Sequence, residues 1–227
     1  MAQRWTDAGT FRLFDVFPGR QRGAIGNIYK ANGQALTFAH DGSFGSEPWC
    51  SDGTADGTHL VADVFPGFRG MLEPGSVLGE IGNRAYMVLN YPDTGAEIYS
   101  TDCNSVELLF DLNPAGHGVG AAIVANGSIV FSGNEGNGQR GLWISDGTAT
   151  QPRLLAAFPD STYVNSPQRL VFDGADNVWF VACTIADLCQ FYTVNLTTES
   201  VIPVTVSQVT GSQNLFLVAA TANGMLA

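Results

Sequence analysis

Short apolar segments alternate with turns rich in Gly, Asn and Asp along the whole chain. Five of these segments run into a loop that contains a proline. The five anchor prolines are Pro18, Pro66, Pro114, Pro159 and Pro203. Successive anchors are 48, 48, 45 and 44 residues apart. A nearly fixed period of this length indicates stacked supersecondary units, so the fold has to be settled before any residue is interpreted chemically.

Each unit contains four short strand-like runs joined by turns such as Asn32-Gly33 and Asn126-Gly127. The pattern predicts antiparallel hairpins, because Asn-Gly pairs between apolar runs favour tight hairpin turns. The second strand of a unit carries apolar residues on both faces, as in Val178, Trp179 and Phe180. Strands covered on both faces are expected where sheets stack face to face. Four-stranded units at this period are typical of a β-propeller.

Neither end of the chain holds a complete unit. Residues 213–227 supply two strand-like runs and residues 1–19 supply two more. We therefore predict an all-β fold: a five-bladed β-propeller of four-stranded antiparallel blades, closed by pairing of the N- and C-terminal strands in one blade. This pairing would remove the open sheet edges. The whole chain, residues 1–227, is then a single domain, and the other blades span residues 20–67, 68–115, 116–160 and 161–212.

One phrase recurs in several units. The segments 47–54 (EPWCSDGT) and 141–148 (GLWISDGT) resemble the ELWxxDGT repeat of bacterial, often secreted or surface-associated, proteins. The resemblance implies a propeller-like repeat and an extracytoplasmic setting, and it carries no catalytic residues. The copy at residues 97–102 departs from the motif at Cys103, where the motif has Gly.

The Asp residues of this phrase, Asp52 and Asp146, have a structural interpretation. Each precedes Gly-Thr, where a carboxylate can accept a backbone N–H two residues on and Gly adopts a positive φ. A ring of calcium-binding Asp residues is the alternative, but Ca²⁺ needs six to eight oxygens and each loop offers one or two carboxylates. We therefore expect no cofactor.

Charge narrows the range of partners. The chain has 21 acidic and 10 basic residues, a net charge of −11, and only 14% charged residues in total. A strongly negative field repels polyanions, so we expect no nucleic-acid partner. No apolar run is long enough to cross a bilayer. Residues 1–5 lack the layout of a signal peptide, so we expect an exported form to have lost its signal already.

Four cysteines bear on the compartment. Cys183 and Cys189 flank five residues between two strand-like runs, so they could face each other across a hairpin. The alternative is two buried free thiols in a β core. Cys50 and Cys103 occupy non-equivalent positions of neighbouring units, and we expect both to be free. The possible bridge between Cys183 and Cys189, together with the resemblance, favours oxidising surroundings and an extracellular or cell-surface location.

In a four-stranded up-and-down blade, the second-to-third hairpins and the fourth-to-first connections lie at one end, and these are the longer, more varied loops. Variable loops on a rigid scaffold tend to carry binding residues. The candidate ligand-binding residues at this end are Arg20, Arg22, Phe44, Arg69, Tyr91, His117 and Tyr163. The basic side chains suit carboxylate, sulfate or phosphate groups, and the aromatic ones suit sugar rings. Solvated loop residues that balance local acidic charge are the alternative.

The sequence therefore predicts a non-enzymatic extracellular binding or adhesion module, possible ligands being a glycan or a small anion. Two alternatives stay open. One is a structural module that makes protein–protein or self-assembly contacts. The other is a small glycoside hydrolase, in which Asp41 and Asp93 would act as acid and base. No nucleophile-elbow, zinc-site or phosphate-loop sequence motif occurs in the chain.

Overall fold

The structure is a computed structural model that describes residues 4–5, 10–11, 26–43, 45–64, 76–91, 95–137, 139–148, 151–158, 167–183, 189–204, 219–221 and 224–226. All its regular elements within these ranges are β-strands. Among the same residues there is no helix long and apolar enough to cross a membrane. The all-β class predicted from the sequence is confirmed.

Four antiparallel sheets of four strands make up most of the described chain, and within each sheet the strands are neighbours in sequence order. Two strands precede them, β1 (Arg4–Trp5) and β2 (Thr10–Phe11). The first sheet contains β3 (Tyr29–Ala31), β4 (Gln34–His40), β5 (Ser46–Ser51) and β6 (His59–Leu60). The second contains β7 (Ser76–Ile81), β8 (Arg84–Tyr91), β9 (Gly95–Thr101) and β10 (Val106–Phe110).

The third sheet contains β11 (Val119–Ala125), β12 (Ser128–Asn134), β13 (Arg140–Ser145) and β14 (Arg153–Ala157). The fourth contains β15 (Gln168–Phe172), β16 (Asn177–Cys183), β17 (Cys189–Asn195) and β18 (Ser200–Pro203). Two further strands follow, β19 (Ala219–Thr221) and β20 (Gly224–Leu226). The four-stranded antiparallel unit predicted from the repeat is therefore present four times in the described residues.

The prediction of a five-bladed propeller closed by its chain ends is wrong. Strands β1 and β2 pair with each other, β19 and β20 pair with each other, and the two pairs form separate two-stranded sheets in the described part of the chain. Four complete sheets are present, and no described sheet is closed by pairing of the two ends. A tight hairpin fixes the pairing within each complete sheet, whereas closure would need a ladder between strands about 220 residues apart, without a turn to set its register.

The tight turns of the repeat form as the sequence predicts. Asn32 and Gly33 link β3 to β4 with φ of +49° and +76°, and Asn126 and Gly127 link β11 to β12 with φ of +48° and +76°. Positive φ at both central residues is the signature of the two-residue type I′ hairpin, whose twist matches that of the strands. These turns fix the register of the first two strands of a sheet, for example the pairing of Ala31 with Gln34.

Apolar residues lie on both faces of the second strand of the fourth sheet. Val178, Phe180 and Ala182 of β16 belong to a buried cluster that also contains side chains of the third sheet. Val181 lies on the other face, in a second cluster with Trp179 packed against it. The expectation of face-to-face sheet stacking is confirmed here. Aromatic rings strengthen the first cluster, because Phe158 meets Phe180 and Tyr192 edge-on with ring centroids 5.9 and 5.3 Å apart.

The chain divides into two compact units. The first consists of residues Met1–Met87 and Tyr99–Glu107 and contains the first sheet. The second consists of Val88–Ile98 and Leu108–Ala227 and contains the third and fourth sheets. The second sheet contributes strands to both. The assignment of the whole chain to one domain stays a prediction.

All four cysteines are in disulfides. Cys183 and Cys189 are direct partners across the β16–β17 hairpin and are bonded to each other. Of the two alternatives given by the sequence, the bridge is therefore the correct one. Cys50 and Cys103 are also bonded, so the expectation that they are free is wrong. Two cysteines at non-equivalent positions of neighbouring units can still be close in space. A residue on β5 of the first sheet meets the turn between β9 and β10 of the second.

Candidate binding site at the loop end

The hairpins between second and third strands, together with the connections from each fourth strand to the next sheet, define what we call the loop end. The remaining turns define the turn end. Of the seven predicted ligand-binding residues, Tyr91 is the last residue of β8 and is half-buried, and His117 is exposed in the connection between β10 and β11. Arg20, Arg22, Phe44, Arg69 and Tyr163 lie outside the described residues. The predicted ligand-binding set of basic and aromatic side chains thus stays a prediction.

Residues 111–118, which we call the connector, join β10 to β11 and are held by a buried carboxylate. Glu97 of β9 is fully buried. Its Oε2 accepts the backbone N–H of Leu112 at 3.2 Å, and its Oε1 accepts that of Gly118 at 2.9 Å. A Cβ on Gly118 would lie 2.1 Å from Oε1, so only glycine fits at this contact. One carboxylate therefore closes both ends of the connector.

Further contacts fix the position of His117. Its Nδ1 accepts the backbone N–H of Ala96 at 3.2 Å, and its carbonyl oxygen accepts the side-chain amide of Asn113 at 3.2 Å. Asn113 Oδ1 in turn accepts the N–H of Ala115. With Nδ1 as an acceptor, a neutral imidazole carries its proton on Nε2 and can donate from that atom to a ligand.

Burial raises the pKa of Glu97 to about 7. The nearby charge of Asp111 raises it further, whereas the N–H donors of Leu112 and Gly118 lower it because they stabilise the ionised form. The group that holds the connector therefore titrates close to neutral pH. A protonated carboxyl has less capacity to accept two separate N–H bonds than a carboxylate has.

The first sheet has a related contact at one end of the corresponding segment. Glu47 of β5 is fully buried and its Oε2 accepts the backbone N–H of Val64, after β6, at 2.8 Å. Sequence analysis quoted Glu47 and Glu97 only as letters of the repeated phrase and missed this role. The available signal was an acidic residue two positions before the aromatic residue of the phrase, Trp49 or Tyr99, in a strand that contains no other charged residue. A buried acid in that setting has to find hydrogen-bond donors.

At the turn end, the Asp-Gly-Thr segments behave as predicted. Asp52 Oδ1 accepts the N–H and the hydroxyl of Thr54 at 2.8 and 2.7 Å, and Asp146 Oδ1 accepts the same two groups of Thr148 at 2.9 and 2.6 Å. The intervening glycines have φ of +92° and +82°. Hydrogen bonds from the threonine hydroxyls, more than any other cause, lower the pKa of both aspartates.

The described residues contain no group of three or more His, Cys, Asp or Glu side chains that could hold a metal ion. The expectation of no cofactor stays a prediction. In the hydrolase alternative, Asp41 Oδ1 accepts the N–H of Ser43 at 2.8 Å, which is the turn-capping geometry typical of loop aspartates. Its proposed partner Asp93 lies outside the described residues. That alternative stays a hypothesis.

Comparisons with known proteins bear on the fold. No family model matches the sequence, and no curated protein matches it. Among solved structures, the chain is similar to a prolyl endopeptidase with 8% identity and a TM-score of 0.52, the match covering 89% of this chain and 30% of that one. It is also similar to a puromycin hydrolase, with 13% identity, a TM-score of 0.50 and coverage of 79% and 28%.

A third similar structure is a puromycin-hydrolyzing peptidase of Mycobacterium tuberculosis, with 17% identity, a TM-score of 0.50 and coverage of 87% and 30%. The chain thus spans less than a third of the length of each of these proteins. At such identities the similarity concerns the fold alone. Together with the four consecutive four-stranded sheets, it shows that the fold is β-propeller-like.

Proposed function

We propose that this chain is an exported, non-enzymatic binding module that takes a carbohydrate at its loop end. The observation that carries the proposal is the connector, whose backbone Glu97 holds at both ends and whose exposed His117 is fixed by Ala96 and Asn113. A polar donor held in place on a loop is what a saccharide hydroxyl needs, since preorganised groups bind without a further ordering cost. The two disulfides support export, because such bonds persist in oxidising compartments.

Tyr91 supplies the second kind of group that sugar recognition uses. It ends β8 at the loop end, and β9, which follows it in the same sheet, carries the Ala96 N–H that contacts His117. An aromatic face takes the C–H surface of a sugar ring while a nearby donor takes a hydroxyl. An anionic ligand would depend on Arg20, Arg22 and Arg69, in a protein whose net charge is −11.

A glycan array followed by calorimetry on the best hit tests the proposal. We expect His117→Ala and Tyr91→Ala each to weaken binding about tenfold, the size of one lost hydrogen bond or stacking contact. Asn83→Ala, an exposed change in the β7–β8 turn at the opposite end of the same sheet, is the matched control and should bind like the parent. Full binding by both loop-end variants, or no saccharide hit on the array, would contradict the proposal.

One observation favours the assembly alternative. Leu108 of β10 and Ile202 of β18 lie on the outermost strands of their sheets and are 41% and 55% exposed. Outer strands with apolar side chains are potential pairing surfaces. Light scattering over a concentration series decides this: self-association that Leu108→Lys and Ile202→Lys abolish supports an assembly role, and a constant monomer mass contradicts self-assembly.

A further inference from the structure

The first and third sheets have an equivalent strand pair at the turn end, and the space beside this pair differs between the two sheets. Cys50 of β5 pairs with His59 of β6, and by the same register Ile144 of β13 pairs with Arg153 of β14. In the first case Cys50 is bonded to Cys103, in the third-to-fourth turn of the second sheet. His59 Nε2 lies 2.8 Å from the carbonyl oxygen of Cys103. A disulfide and an imidazole thus occupy this place.

The equivalent place beside the third sheet has no disulfide and is hollow. Ile144 and Arg153 line a partly open cavity of about 260 Å³. Its walls also include Ser128, Ser145, Leu196 and Glu199. We infer that this cavity is a binding site for a neutral polyol of monosaccharide size. The inference does not rest on the loop-end proposal, because the cavity lies at the opposite end of the strands of the third sheet.

Charge in the cavity favours a neutral ligand. The guanidinium of Arg153 donates from both terminal nitrogens to the two carboxylate oxygens of Glu199, so these two charges balance. Asp146 borders the same cavity with its Oδ1 already accepting two hydrogen bonds from Thr148. The described lining has no excess positive charge for an anion, and the chain as a whole carries −11. An anionic ligand would be repelled on approach.

Hydrogen-bonding capacity remains in the ion pair. A guanidinium has five N–H donors, and Arg153 uses two of its own on Glu199, while a carboxylate has about four acceptor positions of which two are used. The hydroxyl of Ser128 can donate and accept, and that of Ser145, which accepts the backbone N–H of Gly147 at 3.2 Å, can still donate. Side by side, donors and acceptors of this kind match vicinal hydroxyl groups, each of which is at once a donor and an acceptor.

Shape and size point to the same class of ligand. Ile144 and Leu196 form an apolar wall that suits the C–H face of a sugar or cyclitol ring. The cavity is smaller than the roughly 300–1,000 Å³ of sites that hold drug-sized ligands. One ring with its hydroxyls is the size that fits, and a longer oligosaccharide would extend into solvent.

The test records amide NMR spectra of residues 1–227 during titration with glucose, galactose, mannose and myo-inositol, and with sodium sulfate as the anion. We expect shifts for at least one polyol, confined to the segments around Ile144, Arg153 and Glu199, and none with sulfate. Glu199→Gln should weaken binding about tenfold because a charged acceptor is lost. Ser128→Phe should abolish it by filling the cavity.

Lys30→Ala is the matched control. It breaks an ion pair with Glu80, and neither residue lines the cavity. It should leave the dissociation constant unchanged. Three results would each overturn the inference: no shift with any polyol up to its solubility limit, shifts confined to other segments, or tighter binding of sulfate than of any polyol. Glu199→Gln, a conservative change on an exposed turn, keeps the test decisive if Ser128→Phe does not fold.

Discussion

At the scale of the residue, Cys103 shows how one substitution in a repeat changes the role of a position. It stands where the repeated phrase has glycine and keeps the glycine conformation, with φ of +74° compared with +92° at Gly53 and +82° at Gly147. A left-handed conformation is unfavourable for a residue with a Cβ. The disulfide to Cys50 holds position 103 in the left-handed conformation that glycine adopts without strain in the other units.

Two variants without this disulfide separate the effects. We expect Cys50→Ser with Cys103→Gly to be more stable than Cys50→Ser with Cys103→Ser by about 1 kcal/mol, because only glycine adopts the left-handed conformation without strain. Urea unfolding of both variants measures the difference. Equal stability, or a more stable serine variant, would show that position 103 relaxes once the disulfide is gone.

Glu97 gives a pH dependence with a definite sign. Its folded pKa, about 7, lies above the usual value of 4.5, so the native state binds the proton more tightly than the unfolded chain does. The stability that this group contributes is therefore greatest below pH 4.5 and is lost as the pH rises toward 7. Between pH 4.5 and 7, we expect the free energy of unfolding of the parent to fall relative to Glu97→Gln, by an amount of order 1–3 kcal/mol.

Unfolding in urea at several pH values measures this difference. Glu135→Gln, the same chemical change on the hairpin after β12, is the control. Its free energy of unfolding should change with pH in parallel with that of the parent. If the free energies of unfolding of the parent and of Glu97→Gln also change in parallel with pH, the shifted pKa of Glu97 is contradicted.

At the scale of the element, the connector depends on close approach between backbone and side chain. A Cβ on Gly118 would meet Glu97 Oε1 at 2.1 Å, whereas a Cβ on Gly116 would find its nearest atom, Asn113 Nδ2, at 3.8 Å. Two glycines in one short loop thus differ in what they tolerate. The first allows a buried hydrogen bond to form, and the second lies at an open position.

Alanine substitution at these two positions tests the connector. We expect Gly118→Ala to lower the free energy of unfolding by about 2 kcal/mol, because it displaces the Glu97 carboxylate from a buried donor. Gly116→Ala should stay within about 0.5 kcal/mol of the parent, as substitutions without new contacts usually do. Chemical denaturation checks both. Similar losses in the two variants would mean that Glu97 does not hold the connector.

At the scale of the whole molecule, the two disulfides close loops of very different length. The Cys50–Cys103 bond has a sequence separation of 53 and joins the first sheet to the second. The Cys183–Cys189 bond has a separation of 6 and lies within one hairpin. A longer closed loop removes more entropy from the unfolded chain, which predicts contributions of about 4 and about 2 kcal/mol respectively.

Calorimetry on the two double serine variants tests this order. Cys50→Ser with Cys103→Ser should lower the melting temperature more than Cys183→Ser with Cys189→Ser. The reverse order would show that the hairpin bond holds more of the tertiary structure than its short loop implies.

The sequence by itself determined the local structure of this protein. Asn-Gly pairs specify two-residue turns, Asp-Gly-Thr segments specify capped turns, and the apolar period specifies four-stranded sheets, because each of these depends on residues close together in the chain. The sequence also indicated the disulfide between Cys183 and Cys189 as one of two alternatives, because the two residues flank the same hairpin.

Only the tertiary structure decided the features that join distant residues. The bond between Cys50 and Cys103, the anchoring of the connector by Glu97 and the cavity beside Arg153 all depend on how sheets and loops meet in space. A repeat period places equivalent residues on equivalent strands. It leaves open which side chain of one sheet meets which turn of the next, since that depends on the offset and twist between sheets.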